Sequence, residues 1–355
     1  NSLTTESGET KNIIVDNNKP TKPLISSGSY VNNTWTNSNV NLQIESSKAL
    51  SGIKNYRYIV NNGEVPSENE WNNSAVLNGH FENNNLLNLN ENLIANISNL
   101  NSDLNKTYWF RAESNAGILG EISSYNVKIQ KSAPRNTTIE YEEPNSEGWY
   151  SKSPYIKLND IKPLERQAPI YIHYKLWNKS VGETENSVNE VIYDGSNLPA
   201  ISNDGEYSLR VWTVDEVGNR SDVAADVYKD FNYDSTMPIM SLNYDNNNST
   251  NDKYYSKSRN AILSVNDTNF NPDKVKIKVT SVDNGNTVEM SGNSWSSDGI
   301  VHSVTIPFDS DGDYKIEAMC SDKAGNVSNN INDNDFVIDM TAPTLDISNV
   351  QDLSA

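Results

Sequence analysis

Apolar residues recur at every second position along short stretches of this chain, and no stretch sustains the spacing of an amphipathic helix. Ile170, Ile172, Tyr174 and Leu176 alternate with Tyr171, His173, Lys175 and Trp177, while Tyr207, Leu209 and Val211 alternate with Ser208, Arg210 and Trp212. Successive side chains of a strand point to opposite faces, so a period of two predicts half-buried β-strands. Asn62-Gly63 after Tyr56–Val60 and Asn284-Gly285 after Val275–Val279 predict tight hairpins, because these residues accept positive φ. A longer, acidic connection, Val181–Asn186, is expected after the strand that carries Trp177.

The strands belong to a repeat. Tyr150-Ser-Lys-Ser153 returns as Tyr255-Ser-Lys-Ser258, and Pro134, Pro238 and Pro343 close three similar stretches, with Pro20 as an earlier copy. A third set runs Tyr108 to Gly117, Tyr207 to Val217-Gly-Asn219, and Tyr314 to Ala324-Gly-Asn326. A period of about 105 residues with short strands and frequent turns fits two-sheet antiparallel sandwiches. The expected units are 17–131, 132–234 and 235–340. Residues 1–16 are expected to be the tail of a preceding repeat or disordered, and 341–355 the start of a fourth. Asp204-Gly-Glu-Tyr207 and Asp311-Gly-Asp-Tyr314 predict tyrosine corners, in which a phenol bonds back to upstream backbone; Tyr108 is the diverged copy.

These residues resemble bacterial Ig-like and fibronectin type III-like repeats of surface proteins. The first unit, with Tyr108-Trp-Phe-Arg-Ala112 and Asn115-Ala-Gly117, is most similar to fibronectin type III. The other two, through Asp215-Glu-Val-Gly-Asn219, Asp322-Lys-Ala-Gly-Asn326 and Phe336–Pro343, are most similar to bacterial Ig-like repeats. The resemblance implies an all-β chain of three tandem sandwiches in an elongated array, exported by a Gram-positive bacterium to its surface or surroundings. The function implied is non-catalytic: a stalk and an adhesin for a host protein or glycan. Two alternatives are an accessory region of a large secreted carbohydrate-active enzyme and a binder of a soluble host protein such as an immunoglobulin.

Composition changes this picture in two places. With 28 Lys+Arg, 47 Asp+Glu and a net charge of −19, the chain is poorly suited to neutralising phosphates, so no nucleic-acid partner is expected. Only 35% of residues are hydrophobic; Leu, Ile, Val and Phe together make up roughly 22%, close to the roughly 20% below which a strongly charged chain is expected to be disordered, and the repeat is what argues for a folded chain. No apolar run approaches a membrane span and the first residues are polar, so neither a span nor a signal peptide is read here. A monomer is expected.

Candidate chemistry is sparse. His80, His173 and His302 fall one to a repeat, so no catalytic residue, enzyme activity or cofactor is assigned. Asp309-Ser-Asp-Gly-Asp313 starts like a calcium loop, but Cys320 stands where the closing Glu belongs, and the segment is read as a turn. No metal site is assigned, although calcium at junctions near Asp234 or Asp339 stays open. Cys320, the single cysteine, is read as a buried small hydrophobe. The resemblance also implies that Lys-Asn or Thr-Gln cross-links can occur, but no pair can be selected.

One constellation faces outward. Tyr171, His173 and Trp177, with Lys175, are expected to share a sheet face with Arg210 and Trp212, and this set is the candidate site for ligand binding. The alternative is that the face packs against a neighbouring unit or loop. Trp109 and Arg111 hold the equivalent positions in the first repeat, Glu317 and Met319 in the third. Trp35, Trp149 and Trp295 are read as structural, and Trp71, in a variable connection, receives no role.

Overall fold

The computed structural model describes residues 15–81, 91–161, 163, 167–281, 285–290 and 294–346. Its architecture is almost entirely β, and among the described residues no helix is long and apolar enough to cross a membrane. Three separate clusters of buried side chains each lie between a pair of sheets. They draw on Val40–Ile129, Tyr150–Tyr233 and Met240–Ile338.

In the first pair, strands Leu24–Ser26, Val40–Glu45, Leu93–Leu100 and His80–Phe81 form one sheet in that order. Trp35–Thr36, Ser123–Ile129, Leu104–Ser114, Ile53–Asn61 and Ala75–Leu77 form the other. The second pair sets Ile139–Tyr141 beside Ile156–Leu158, opposite the order Trp149–Tyr150, Val227–Tyr233, Gly205–Asp215, Ile170–Asn178, Val191–Ile192. In the third, Ile239–Tyr244, Arg259–Asn266, Val301–Phe308 and Ser296–Ser297 face Tyr254–Tyr255, Phe336–Ile338, Gly312–Met319, Lys276–Ser281 and Thr287–Met290.

The alternating pattern produces these faces. Val40, Leu42 and Ile44 are buried between more exposed neighbours, as are Ala261, Leu263 and Val265. Ile172 and Tyr174 point into the second cluster, and across the ladder they meet Thr213 and Val211. Pairing is antiparallel except at one short edge in each pair of sheets. There Trp35 lies parallel to Lys128, Trp149 to Asn232 and Tyr254 to Val337. The recurring Tyr-Ser-Lys-Ser segments therefore begin in edge pieces, joined to the closing strand of their own sheet, Val227–Tyr233 or Phe336–Ile338.

Both full tyrosine corners form. Tyr207 donates its hydroxyl to the Asn203 carbonyl at 2.6 Å, and Tyr314 donates to that of Ser310 at 3.2 Å. Tyr108 keeps the buried position, stacked near Phe110. The expected tight hairpin at Asn62-Gly63 does not. The chain leaves Asn61, makes the short helix Glu68–Trp71, and returns only at Ala75–Leu77 to pair with Tyr56–Tyr58. A capping box between Ser67 and Glu70 secures that helix, and Trp71 is buried beneath Arg111, so the connection is a packed element. Lys276–Ser281 and Thr287–Met290 do form a hairpin, with Gly285 at φ 70°, although Asn284 lies outside the described residues. The expected end strands Asn12–Asp16 and Thr344–Ser348 also fall partly outside them, and residues 15–16 and 344–346 form no strand.

Candidate functional site

The outward face of the second pair of sheets is assembled as the alternation requires, but it is covered. His173 and Trp212 sit opposite each other across the ladder, with ring centroids 5.9 Å apart. Trp212 is only 5% exposed, because the guanidinium groups of Arg210 and Arg220 lie over its ring at 5.5 and 5.4 Å. Arg210 is held by Glu185 and Asp226, and His173 Nδ1 lies 2.5 Å from Glu190. Glu185 and Glu190 belong to the connection that folds back to pair Val191–Ile192 with Tyr174 and His173. Trp212 and Arg210 are therefore not an open stacking surface: at these two residues the face packs against a loop, the alternative reading of the sequence. An aromatic ring with two cations needs anionic partners close by, and the acidic loop supplies them. Tyr171, 45% exposed, and the partly exposed Trp177 remain at the margin.

The first pair of sheets repeats this arrangement. Arg111, buried, donates to the Gly120 carbonyl and pairs with Glu68 over Trp71. In the third the face is open. Lys276, Lys278, Glu317, Met319 and Ile331 line a shallow cavity of about 610 Å³ where the others are covered.

The remaining candidates have local partners. Cys320 is buried, and that burial pushes its thiol pKa up. His302 stacks on Phe270 with centroids 4.2 Å apart, and His80 is exposed. Lys131 with Asn39 and Lys106 with Asn62 are Lys–Asn contacts at 2.7 Å, but both are exposed, where a solvated ammonium is a poor nucleophile. The Asp309–Asp313 segment is a turn whose central carboxylate, Asp311, accepts from the Met340 amide and the Thr341 hydroxyl.

The third copy of that contact leads to the junctions. Asp103 holds Lys131 and Ser132, and Asp204 holds Ser235 and Thr236, each in the segment that leaves one pair of sheets for the next. Beyond each clamp, an asparagine from the following pair reaches back. Asn219 Nδ2 donates to the Gln130 carbonyl at 2.9 Å, and Asn326 Nδ2 donates to the Asp234 carbonyl at 2.8 Å. In the other direction Asn37 donates to the Val217 carbonyl and Asn145 to the Lys323 carbonyl, at 2.9 and 2.8 Å. Two successive junctions thus share four matching hydrogen bonds.

They differ in charge. At the second junction Asp234, Asp267 and Asp322 each offer a carboxylate oxygen, and these oxygens lie within 4.8 Å of one another with all three residues buried. Asp234 follows Val227–Tyr233, the last strand of the second pair of sheets; Asp267 follows Arg259–Asn266 and Asp322 lies in the loop after Gly312–Met319. Burial raises the pKa of Asp267 to about 6, and the like charges of Asp322, Asp234 and Asp204 add to the effect against a bond from the Asn269 amide. Burial also raises Asp234. At the first junction Gln130 stands where Asp234 does and Asp215 where Asp322 does, so one of these two acids is an amide. Of these three, only Asp234 is singled out by the sequence, together with Asp339, which is not part of the cluster. Asp267 and Asp322 come from different strands of the next pair of sheets, and no linear spacing connects them.

Comparison with known proteins leaves the family open. No family model matches the chain, and no curated protein matches it. Solved structures that resemble it include native Escherichia coli alpha-2-macroglobulin, at 10% identity and TM-score 0.26, over 95% of this chain and 24% of that one. Fibronectin(III)-like modules of Clostridium thermocellum CbhA overlap 60% of this chain and 95% of theirs, at 10% identity and TM-score 0.24. The chain spans about a quarter of the macroglobulin's length. At these scores the sandwich assignment rests on the sheets and cores described above.

Proposed function

We propose that the chain is a non-catalytic repeat region of a secreted or wall-attached Gram-positive surface protein, in which each pair of sheets is one Ig-like domain and the three act as a stalk. The observation that carries this reading is the repeated junction, where Asn219 with Asn37 and Asn326 with Asn145 tie consecutive pairs together in the same way. A spacer needs a fixed and repeated geometry between units, and these matching bonds support that role. The three histidines stand in three different pairs of sheets.

The adhesin role, contact with a host protein or glycan, belongs to the same proposal. Its support is the uneven treatment of one sheet face, sealed by a Trp–Arg–acid cluster in two units and open in the third. Small-angle scattering tests the stalk: three units end to end span on the order of 100 Å at about 3.3 Å per strand residue. A compact particle would reject it. A glycan array and a panel of purified host matrix proteins test the adhesin. Saturable binding supports that role, and failure to bind across both sets limits the function to spacing.

A further inference from the structure

The junction between the second and third pairs of sheets places three carboxylates where folding alone gives little reason for them. Asp234, Asp267 and Asp322 converge within 4.8 Å, and each is buried. Among the described residues none forms an ion pair with a lysine, arginine or histidine. Bringing like charges together in a desolvated pocket is unfavourable unless a proton or a cation joins them.

Asp267 supplies a second observation. It is 6% exposed, its Oδ1 accepts a hydrogen bond from the Asn269 amide at 2.6 Å, and among the described residues no donor reaches its Oδ2. Asp322 and Asp234 differ, with both oxygens engaged: Asp322 by the Asn326 amide and side chain, Asp234 by Thr236 N and Asn269 Nδ2. A carboxylate on a residue only 6% exposed, with one oxygen that receives no donor and two further carboxylates beside it, lacks a positively charged partner among the described residues. Calcium binds six to eight oxygens at about 2.3–2.6 Å, so two of its ligands can stand up to roughly 4.8 Å apart. The cluster fits within that sphere.

We propose that Asp234, Asp267 and Asp322 bind a calcium ion that locks the second pair of sheets to the third. Asp234 would bring the end of one unit, and Asp267 and Asp322 two loops of the next, so the ion would span the junction. Bidentate carboxylates and water would complete its shell. The first junction, with Gln130 in place of Asp234, would bind no ion, leaving one calcium-dependent and one calcium-independent joint in the same chain. The inference does not depend on what the stalk binds.

The test uses the whole 355-residue chain, stripped with chelator, and calcium chloride alone. Titration calorimetry is expected to show one ion per chain, with affinity in the range of extracellular modules, about 0.1–1 mM. Scanning calorimetry is expected to show an upward shift in unfolding temperature that chelator reverses. Asp267→Asn and Asp322→Asn should each weaken binding at least tenfold, and Asp215→Asn, at the first junction, should leave it unchanged. Circular dichroism in chelator checks folding. If Asp267→Asn does not fold, Asp234→Gln, which copies the first junction, replaces it. Superimposable melting curves with calcium and with chelator, equal binding by the variants, or tighter binding of magnesium would each overturn the proposal.

Discussion

The side-chain amide of Asn326 leaves its own loop and donates to the backbone carbonyl of Asp234, 2.8 Å away in the preceding pair of sheets. The same amide also donates to Asp322 Oδ2, which fixes its direction, and Asn219 does both at the first junction through Gln130 and Asp215. The Asp-x-x-Gly-Asn motif is thereby explained. Its aspartate folds the loop, its glycine takes φ of 88° at Gly218 and 91° at Gly325, and its asparagine reaches across.

Replacing Asn219 by Ala should therefore loosen the first junction without unfolding either neighbour. The bond it makes to Gln130 is a neutral one and is expected to contribute about 1 kcal/mol. Limited proteolysis of the variant should cut between Lys131 and Arg135 faster than in the parent chain, with both flanking fragments surviving intact. Cleavage inside the strands instead would mean that the asparagine supports the fold and not the joint.

The strands, the repeat period and the tyrosine corners were legible in the sequence because each follows from local chemistry: alternation, a recurring Pro, and the Gly-[Asp/Glu]-Tyr step into a long strand. The fate of the outward face was not. Alternation assigns Trp212 to the solvent side, but the loop that carries Glu185 and Glu190 comes back over it, and nothing in the alternation of one strand reports a loop from elsewhere. Trp71 was opaque for the same reason, since its burial depends on Arg111 from a distant strand. The acidic junction lay further from reach, because Asp234, Asp267 and Asp322 are joined only by the way two pairs of sheets meet.

Because Trp212 is enclosed, Trp212→Ala should act on stability before it acts on binding. Removal of a buried Trp typically costs about 3–5 kcal/mol, and here Arg210 and Arg220 would also lose their aromatic platform. Scanning calorimetry should show one transition moving down by several degrees while the others stay in place. If the melting profile is unchanged, the ring is exposed in solution and the loop around Glu185 is open.

The two tyrosine corners should differ in strength. Tyr207 is buried and its hydroxyl bond is 2.6 Å, whereas the Tyr314 bond is 3.2 Å and lies at the surface. A Tyr207→Phe variant is expected to lose about 1 kcal/mol in chemical denaturation, and Tyr314→Phe less than half of that. Equal losses would show that the corner acts through ring packing, which Phe preserves.

The aspartates that hold the exit segments make the chain acid-sensitive at its joints. At Asp311 the Thr341 hydroxyl, followed by the Met340 amide, holds the carboxyl below the ordinary Asp range. At Asp103 partial burial pulls the pKa up, but the Ser132 hydroxyl and the Lys131 and Ser132 amides together pull it below that range. A carboxylate whose folded pKa is depressed adds stability in full above its unfolded value, about 3.9. It loses that contribution as pH falls through the folded value. The exit segments should therefore stay protected at pH 5 and above, and open below about pH 4. Hydrogen exchange of the Lys131 and Met340 amides, followed from pH 6 to pH 3 and corrected for intrinsic rates, should show protection lost only in the lower part of that range. The bonds are reversible and involve no global unfolding, so protection should return on neutralisation. Asp311→Asn should flatten the pH dependence at Met340 and leave that at Lys131 as it was. Loss of protection at both amides in that variant would tie the two clamps together and refute their independence.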